Sequence, residues 1–284
     1  MKMWKITPIA LLTLGCLYLL SCSKDEQESN GKFAEGVVEL PALRNGENDV
    51  FISHTTTVGG EKLTTYSMEY DKSLKHARWV AFRFDSRSAK KSVDRKEGDD
   101  PFVSDPTVES DCQRVRADFG RQGYDRGHIC ASADRLYSRE ANDQTFYYTN
   151  MSPQRNGFNA GIWLKLEGQI QSWGRSCTAS DTLYVVKGGT LEGDGVLEYI
   201  GGDRSKPVPR YYYAALLFKK GDAFKAIAFW MEHTTRPASQ QLADYALSVD
   251  ELEKKTGIDF FPALNDRLEK TVEALCQPSA WSGL

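Results

Sequence analysis

Tyr124–Glu167 opens YDRGHICASADR (124–135) and closes FYYTNMSPQRNGFNAGIWLKLE (146–167), and this stretch decides how the rest of the chain is read. Asp125, Arg126, Gly127 and His128 are too polar for a core strand and too closely charged for an ordinary loop. The histidine is the reactive group among them: a neutral imidazole, with an ordinary pKa of about 6.5, accepts a proton near pH 7 without further tuning. Thr145–Asn150 (TFYYTN) is aromatic and β-branched and is expected to be a strand. Asn156-Gly157 then signals a turn. A helix is expected from about Asn159, where Ile162, Leu166, Ile170 and Trp173 recur at helical spacing as one apolar stripe. Asn159 and Glu167 are eight residues apart, just over two turns, so a regular helix brings both to one side.

The order is a strand with histidine, a second strand, and a helix with asparagine and glutamate. With the blocks DRGH, TNMSPQ and FNAGIWLKLE, it resembles the ββα-metal nucleases of the DNA/RNA non-specific endonuclease family. Three blocks in sequence make a specific signal where DRGH alone is weak. The resemblance extends from about Lys62 to Leu275, including TTYSMEYDKSLKHARWVAF and SVDELEKKTGIDFFPAL. It implies an α+β fold, a ββα-metal finger on a mainly antiparallel β-sheet core with flanking helices. The implied activity is metal-dependent endonucleolytic hydrolysis of DNA, and of RNA, without sequence preference. His128 is the implied general base, Asn159 the metal ligand for Mg²⁺ (with Mn²⁺ as the substitute), and Glu167 a support that orients water beside the metal. Arg126 is implied to grip a phosphate by paired donors, and Asn150 to support the site through hydrogen bonds. Arg95 and Arg135 are the further substrate-binding candidates, Arg95 standing for the family's upstream arginine.

Each role has a plainer rival. A lone histidine is commonly a structural hydrogen-bonding residue, Asn159 is a favoured helix N-cap, and Glu167 reads equally as a solvent-facing helix residue. Arg126 has Asp125 and Asp134 as bridging partners, and Trp163 reads as core. The chain also departs from its relatives: Ala131 stands where many carry proline, and Gln171 where many carry arginine one turn beyond the glutamate. A cation lost there weakens transition-state charge stabilisation unless Arg175, a turn further on, compensates. These departures keep two other functions in view, a non-catalytic nucleic-acid-binding lipoprotein and a phosphodiesterase for small nucleotides.

Working towards the N-terminus, residues 1–21 carry Lys2 and Lys5, then IALLTLGCLYLL, the pattern of an export leader rather than a membrane span. Leu19-Leu20-Ser21-Cys22 resembles a lipobox, implying lipidation at Cys22 and a protein exported and lipid-anchored to a bacterial outer membrane, on its periplasmic or cell-surface face. Residues 22–49 read as a flexible tether, and 50–284 as the nuclease domain, long enough to bury one full core. Loss of the leader takes the formal net charge from −3 to −5, which argues against broad electrostatic attraction to nucleic acid. Locally the balance reverses. Arginines 114, 116, 121, 126, 135 and 139 face only Asp118, Asp125 and Asp134.

Thr64–Tyr70 and Ala77–Phe84 are expected to be adjacent strands, and 85–106 a long loop. LYVVKGG (183–189), RYYYAALLF (210–218) and KAIAFWMEH (225–233) are expected strands, forming a second layer or continuing the first sheet. Ser248–Glu251 is a capping box for a short helix that Gly257 can close. Besides Cys16 and Cys22, the cysteines at 112, 130, 177 and 276 permit two disulfides in three connectivities; zinc binding by His128 and Cys130 fits no common spacing.

Overall fold

β-branched and aromatic runs supply most of the elements, and the strands they form pair into one large sheet. The computed structural model describes Met1, residues 37–98 and residues 100–284. The strands are β1 (Asp49–Val58), β2 (Glu61–Asp71), β3 (His76–Phe84), β4 (Asp125–His128), β5 (Met151–Gln154), β6 (Asp181–Gly189), β7 (Val196–Ile200), β8 (Lys206–Pro209), β9 (Tyr211–Lys220), β10 (Ala223–Glu232) and β11 (Ala246–Leu247). The helices are α1 (Arg139–Gln144), α2 (Asn156–Phe158), α3 (Leu164–Arg175), α4 (Val249–Thr256) and α5 (Asp266–Glu273). Seven strands form a sheet in the order β1-β2-β3-β6-β9-β10-β11, antiparallel throughout, while β4-β5 and β7-β8 are separate two-stranded pairs. The later strands therefore continue the first sheet. This is the α+β arrangement with a small ββα unit that the motif order implied.

β6 lies mid-sheet and is buried along nearly its whole length, hence its continuous LYVV run. On one face, Ile162, Trp163, Leu166, Ile170 and Trp173 pack against Val80, Phe82 and Phe84 of β3, Leu183 and Val185 of β6, and Tyr212, Ala214 and Leu216 of β9. Each such side chain, fully buried, contributes roughly 1.5–3 kcal/mol. Tyr212 meets Phe158 and Trp163 on this face, whereas its neighbour Tyr213 meets Phe260, just past α4, as strand alternation requires. The chain end returns to α3, where Trp281 stacks edge-on against Trp173 at 4.8 Å.

The C-terminal capping box forms as read: Ser248 Oγ accepts from Glu251 N at 3.1 Å, and Gly257 ends α4 with φ +68°. Three expectations change. TFYYTN is not a strand; Tyr148–Asn150 is a single 3₁₀ turn, and the second strand of the pair begins at Met151. Its aromatic residues serve packing instead, with Phe146 and Tyr148 against Phe102. The late part of the expected tether is docked: Leu40 is buried, and Ala42 N donates to Asp259 O at 2.9 Å. Cys112, Cys130, Cys177 and Cys276 are all free thiols, with Cys130 buried. Residues 2–36, with the leader, Cys22 and most of the tether, lie outside the described residues.

Candidate active site

The β4-β5 pair carries the first half of the site. Register sets His128 opposite Met151 and Gly127 opposite Ser152. Gly127 is there for close approach: a Cβ would lie 2.1 Å from Gln154 Oε1 on β5. The His128 ring is held between Phe102, with centroids 5.6 Å apart, and Phe146, perpendicular at 5.1 Å. Its Nε2 is shielded from water and has no hydrogen-bond partner among the described residues. Burial, reinforced by Arg95, Lys187 and Arg126, pushes the imidazole pKa down to about 3. An untuned pKa near 6.5 is thus corrected. Its burial, more than the neighbouring cations, holds the ring in the neutral form near pH 7.

The second half comes from the turn after β5. Asn159–Trp163 is a π-turn with Gly161 at φ −105°, ψ −114°, so Asn159 and Glu167 do not belong to one regular helix and their shared side does not follow from helical spacing. Asn159 is oriented instead by Asp125, whose Oδ2 accepts from Asn159 Nδ2 at 3.0 Å and from Asn156 Nδ2 at 2.9 Å. The amide nitrogen is thereby engaged, and no donor among the described residues reaches Asn159 Oδ1. Asn159 is half-buried, and its carbonyl oxygen, beside the Asp125 carboxylate, fits a hard divalent cation that takes oxygen ligands and retains water.

Asn150 is fully buried and fully used: Nδ2 donates to Cys130 O at 2.9 Å and Thr145 O at 2.8 Å, while Oδ1 accepts from Cys130 N at 2.9 Å. It clamps the exit of β4 to the following turn. Glu167 is buried, and burial raises its carboxyl to about 7, with Lys187 opposing and Asp134 adding to the rise. Lys187 Nζ lies 3.3 Å from Asp134 Oδ2 and 3.5 Å from Glu167 Oε1. Gln171 Nε2 donates to Asp134 Oδ1 at 3.0 Å. The cation that reaches Glu167 is therefore Lys187 rather than Arg175, which donates to Ala133 O at 2.6 Å. Sequence reasoning missed Lys187, although a lysine inside the otherwise apolar LYVVKGG strand was the available signal.

The six clustered arginines separate by burial. Arg135, expected to bind substrate, is wholly buried: its guanidinium donates to Thr65 O and Arg83 O and lies 4.7 Å from the centroids of both Phe82 and Phe84. It is a core residue. Arg114 is likewise buried, donating to Lys75 O and Pro207 O, and Arg139 binds Asp94 O. Arg116, Arg121 and Arg126 remain, and with Tyr124 and Asp125 they line an open cleft of about 750 Å³. Arg126 does not bridge to Asp125 or Asp134; it donates to Asp100 Oδ1 at 2.6 Å and lies 3.9 Å over the Phe102 ring. Asp100 also pairs with Arg116 at 3.0 Å. Arg95 is exposed, bonded to Ser132 Oγ at 3.0 Å and 5.3 Å from the centroid of Phe146, the ring that packs on His128. Trp163 is core, as its stripe suggested. A second cavity of about 650 Å³ lies between residues 42–44, Arg78 and Lys255–Asp259. Its Arg78 is already tied to Asp49, Asp71 and Glu192, and it holds none of the motif residues.

The family model described as DNA/RNA non-specific endonuclease matches residues 46–267. The mitochondrial nuclease EXOG of Danio rerio is 30% identical over 213 residues, covering 71% of this chain but 60% of that protein. Nuclease C1 of Cunninghamella echinulata var. echinulata is 29% identical over 211 residues, 71% of this chain and 82% of its own. Human mitochondrial endonuclease G is 28% identical over 207 residues, 70% and 68% respectively. In structure, the chain is similar to the crystal structure of the EndoG/EndoGI complex, described as showing the mechanism of EndoG inhibition, with TM-score 0.63 and 24% identity over 76% of this chain and 89% of that one. These relatives correct the expected location. The Danio rerio and human proteins are mitochondrial nucleases, which argues against a lipid-anchored protein of a bacterial outer membrane. With the fold and the three motif blocks arranged as described, the match over residues 46–267 establishes that the chain belongs to the DNA/RNA non-specific endonuclease family.

Proposed function

We propose that residues 37–284 form a metal-dependent endonuclease that hydrolyses phosphodiester bonds of DNA and RNA with little sequence preference. The observation that carries this reading is that one strand, β4, bears His128, the Asp125 that fixes the Asn159 amide, and the Arg126 that lines the arginine-rich cleft. Arg116, Arg121 and Arg126 hold the phosphate backbone, displacing Asp100 from Arg116 and Arg126. Contacts to phosphate rather than base edges leave sequence unread. Burial is the main cause of the lowered His128 basicity, and an arriving phosphate anion offsets the smaller part that Arg95 and Arg126 add, which makes the ring a better proton acceptor when substrate is present. His128 then takes the proton from the attacking water, a role typically worth about 10²–10⁴ in rate. Asn159 would hold the Mg²⁺, which when bound neutralises charge on the phosphoryl and leaving oxygens. Lys187 and Asp134 fix Glu167 from behind, and Asn150 fixes the exit of the histidine strand.

The test is nicking of supercoiled plasmid in Mg²⁺ and in EDTA, beside His128→Ala and Asn159→Ala. Metal-dependent nicking that disappears in both variants supports the reading. Plasmid binding without nicking, across several divalent metals, would sink it in favour of binding alone; cleavage of model diesters but not plasmid would favour the small-nucleotide phosphodiesterase.

A further inference from the structure

On the part of the molecule built by α4 and α5, acidic residues meet that the nuclease chemistry does not use. Asp250 and Glu253 are three residues apart on α4, and Glu273 ends α5; both helices rest on β10. Asp250, Glu253 and Glu273 each present a carboxylate oxygen, and the three oxygens all lie within 4.8 Å of one another. Glu273 is only 2% exposed, and its Oε1 is shielded from water without any hydrogen-bond partner among the described residues. Glu253 Oε1 accepts from Phe260 N at 2.8 Å, which leaves its other oxygen for the cluster. Among the described residues no lysine, arginine or histidine pairs with any of the three. Lys255, on the same helix, sits 5.4 Å from the Trp230 ring centroid instead.

Carboxylates this close, one of them buried, are not all ionised without a counter-charge. Either protons or a cation must supply it. Three carboxylate oxygens no more than 4.8 Å apart are close enough to share one hard divalent cation, and Ca²⁺ takes carboxylate oxygens in flexible geometry. We propose that Asp250, Glu253 and Glu273 form a binding site for a hard divalent cation, for which Ca²⁺ is the probe, and that this ion ties the end of α5 to α4. Asp250 and Glu253 lie inside the family match and Glu273 just beyond residue 267, where it ends; none of the three is among the motif residues of the nuclease site.

Thermal unfolding of the full chain in EGTA and in CaCl₂ tests it, with isothermal titration of Ca²⁺ alone. At calcium a hundred-fold above its dissociation constant the midpoint should rise by about 5–10 °C. Glu253→Gln and Glu273→Gln should each abolish the rise, and Asn159→Ala should keep it, which separates this ion from any held at the nuclease site. Should Glu273→Gln fail to fold, the half-buried Glu253→Gln carries the comparison. No calcium shift in the natural sequence, or an equal shift in Glu253→Gln, overturns the proposal and leaves shared protons as the account of the cluster. A shift abolished only in Asn159→Ala overturns it too.

Discussion

Replacing Lys187 by methionine should separate a structural charge from a replaceable apolar filler. The ammonium is fully buried, 3.3 Å from Asp134 Oδ2 and 3.5 Å from Glu167 Oε1, with the Phe82 and Trp163 rings 5.4 and 5.7 Å away. Burial works against the charge, but Asp134 and Glu167 together raise its pKa above the usual lysine range. At an effective dielectric constant of about 20, each attraction is worth roughly 5 kcal/mol before desolvation is counted. Removing one partner from such a buried set typically costs about 3–5 kcal/mol, because the remaining charges are left uncompensated. Lys187→Met should therefore lower the unfolding free energy by about 3 kcal/mol, the low end, since Glu167 at about 7 can take up a proton. Equilibrium guanidinium denaturation at pH 7.5 measures it. The triple variant with Asp134→Asn and Glu167→Gln removes all three charges and should recover most of the stability while plasmid nicking stays impaired, since Glu167 is no longer a carboxylate. Wild-type stability and wild-type nicking in Lys187→Met alone would refute the reasoning.

Arg116→Gln combined with Arg121→Gln should reduce the salt slope of single-stranded oligonucleotide binding in EDTA by about 0.7 for each phosphate that is no longer neutralised; an unchanged slope would remove the cleft from the substrate path. Arg135→Gln, by contrast, should lower the unfolding midpoint and leave that slope unchanged, because its guanidinium is bonded to Thr65 O and Arg83 O inside the core. His76 is buried and its pKa is pushed down to about 3 by burial and by Arg114. Its folded value lies below the unfolded value of about 6.5, so its contribution to stability is complete above pH 6.5 and is lost as pH falls towards 3. His76→Gln should accordingly flatten the fall in unfolding free energy between pH 6 and 4 by about 1.4 kcal/mol per pH unit; denaturation curves with identical pH slopes would contradict this. Gly127→Ala should abolish nicking and destabilise the β4-β5 pair, since the new methyl group meets Gln154 at 2.1 Å; full activity would mean that the pair opens without cost.

Much of the molecule is written in short-range pattern. β-branched and aromatic composition marks β2 and β3, the capping box marks α4, and the order of DRGH, TNMSPQ and FNAGIWLKLE carries the family, because backbone hydrogen bonding and local propensity act over a few residues. Burial is different. Arg126 and Arg135 look alike in sequence, yet one lines the cleft and the other is enclosed by Phe82 and Phe84, some fifty residues earlier in the chain. The same holds for Lys187, whose partners Asp134 and Glu167 come from a loop and a helix brought together only by packing on the sheet. TFYYTN has strand composition, but its aromatic rings gain more from Phe102 and Phe119 than from a ladder. The amino-acid sequence by itself determined the element types and the motif that names the family; tertiary structure decided which charges meet solvent, since desolvation is set by neighbours distant in the chain.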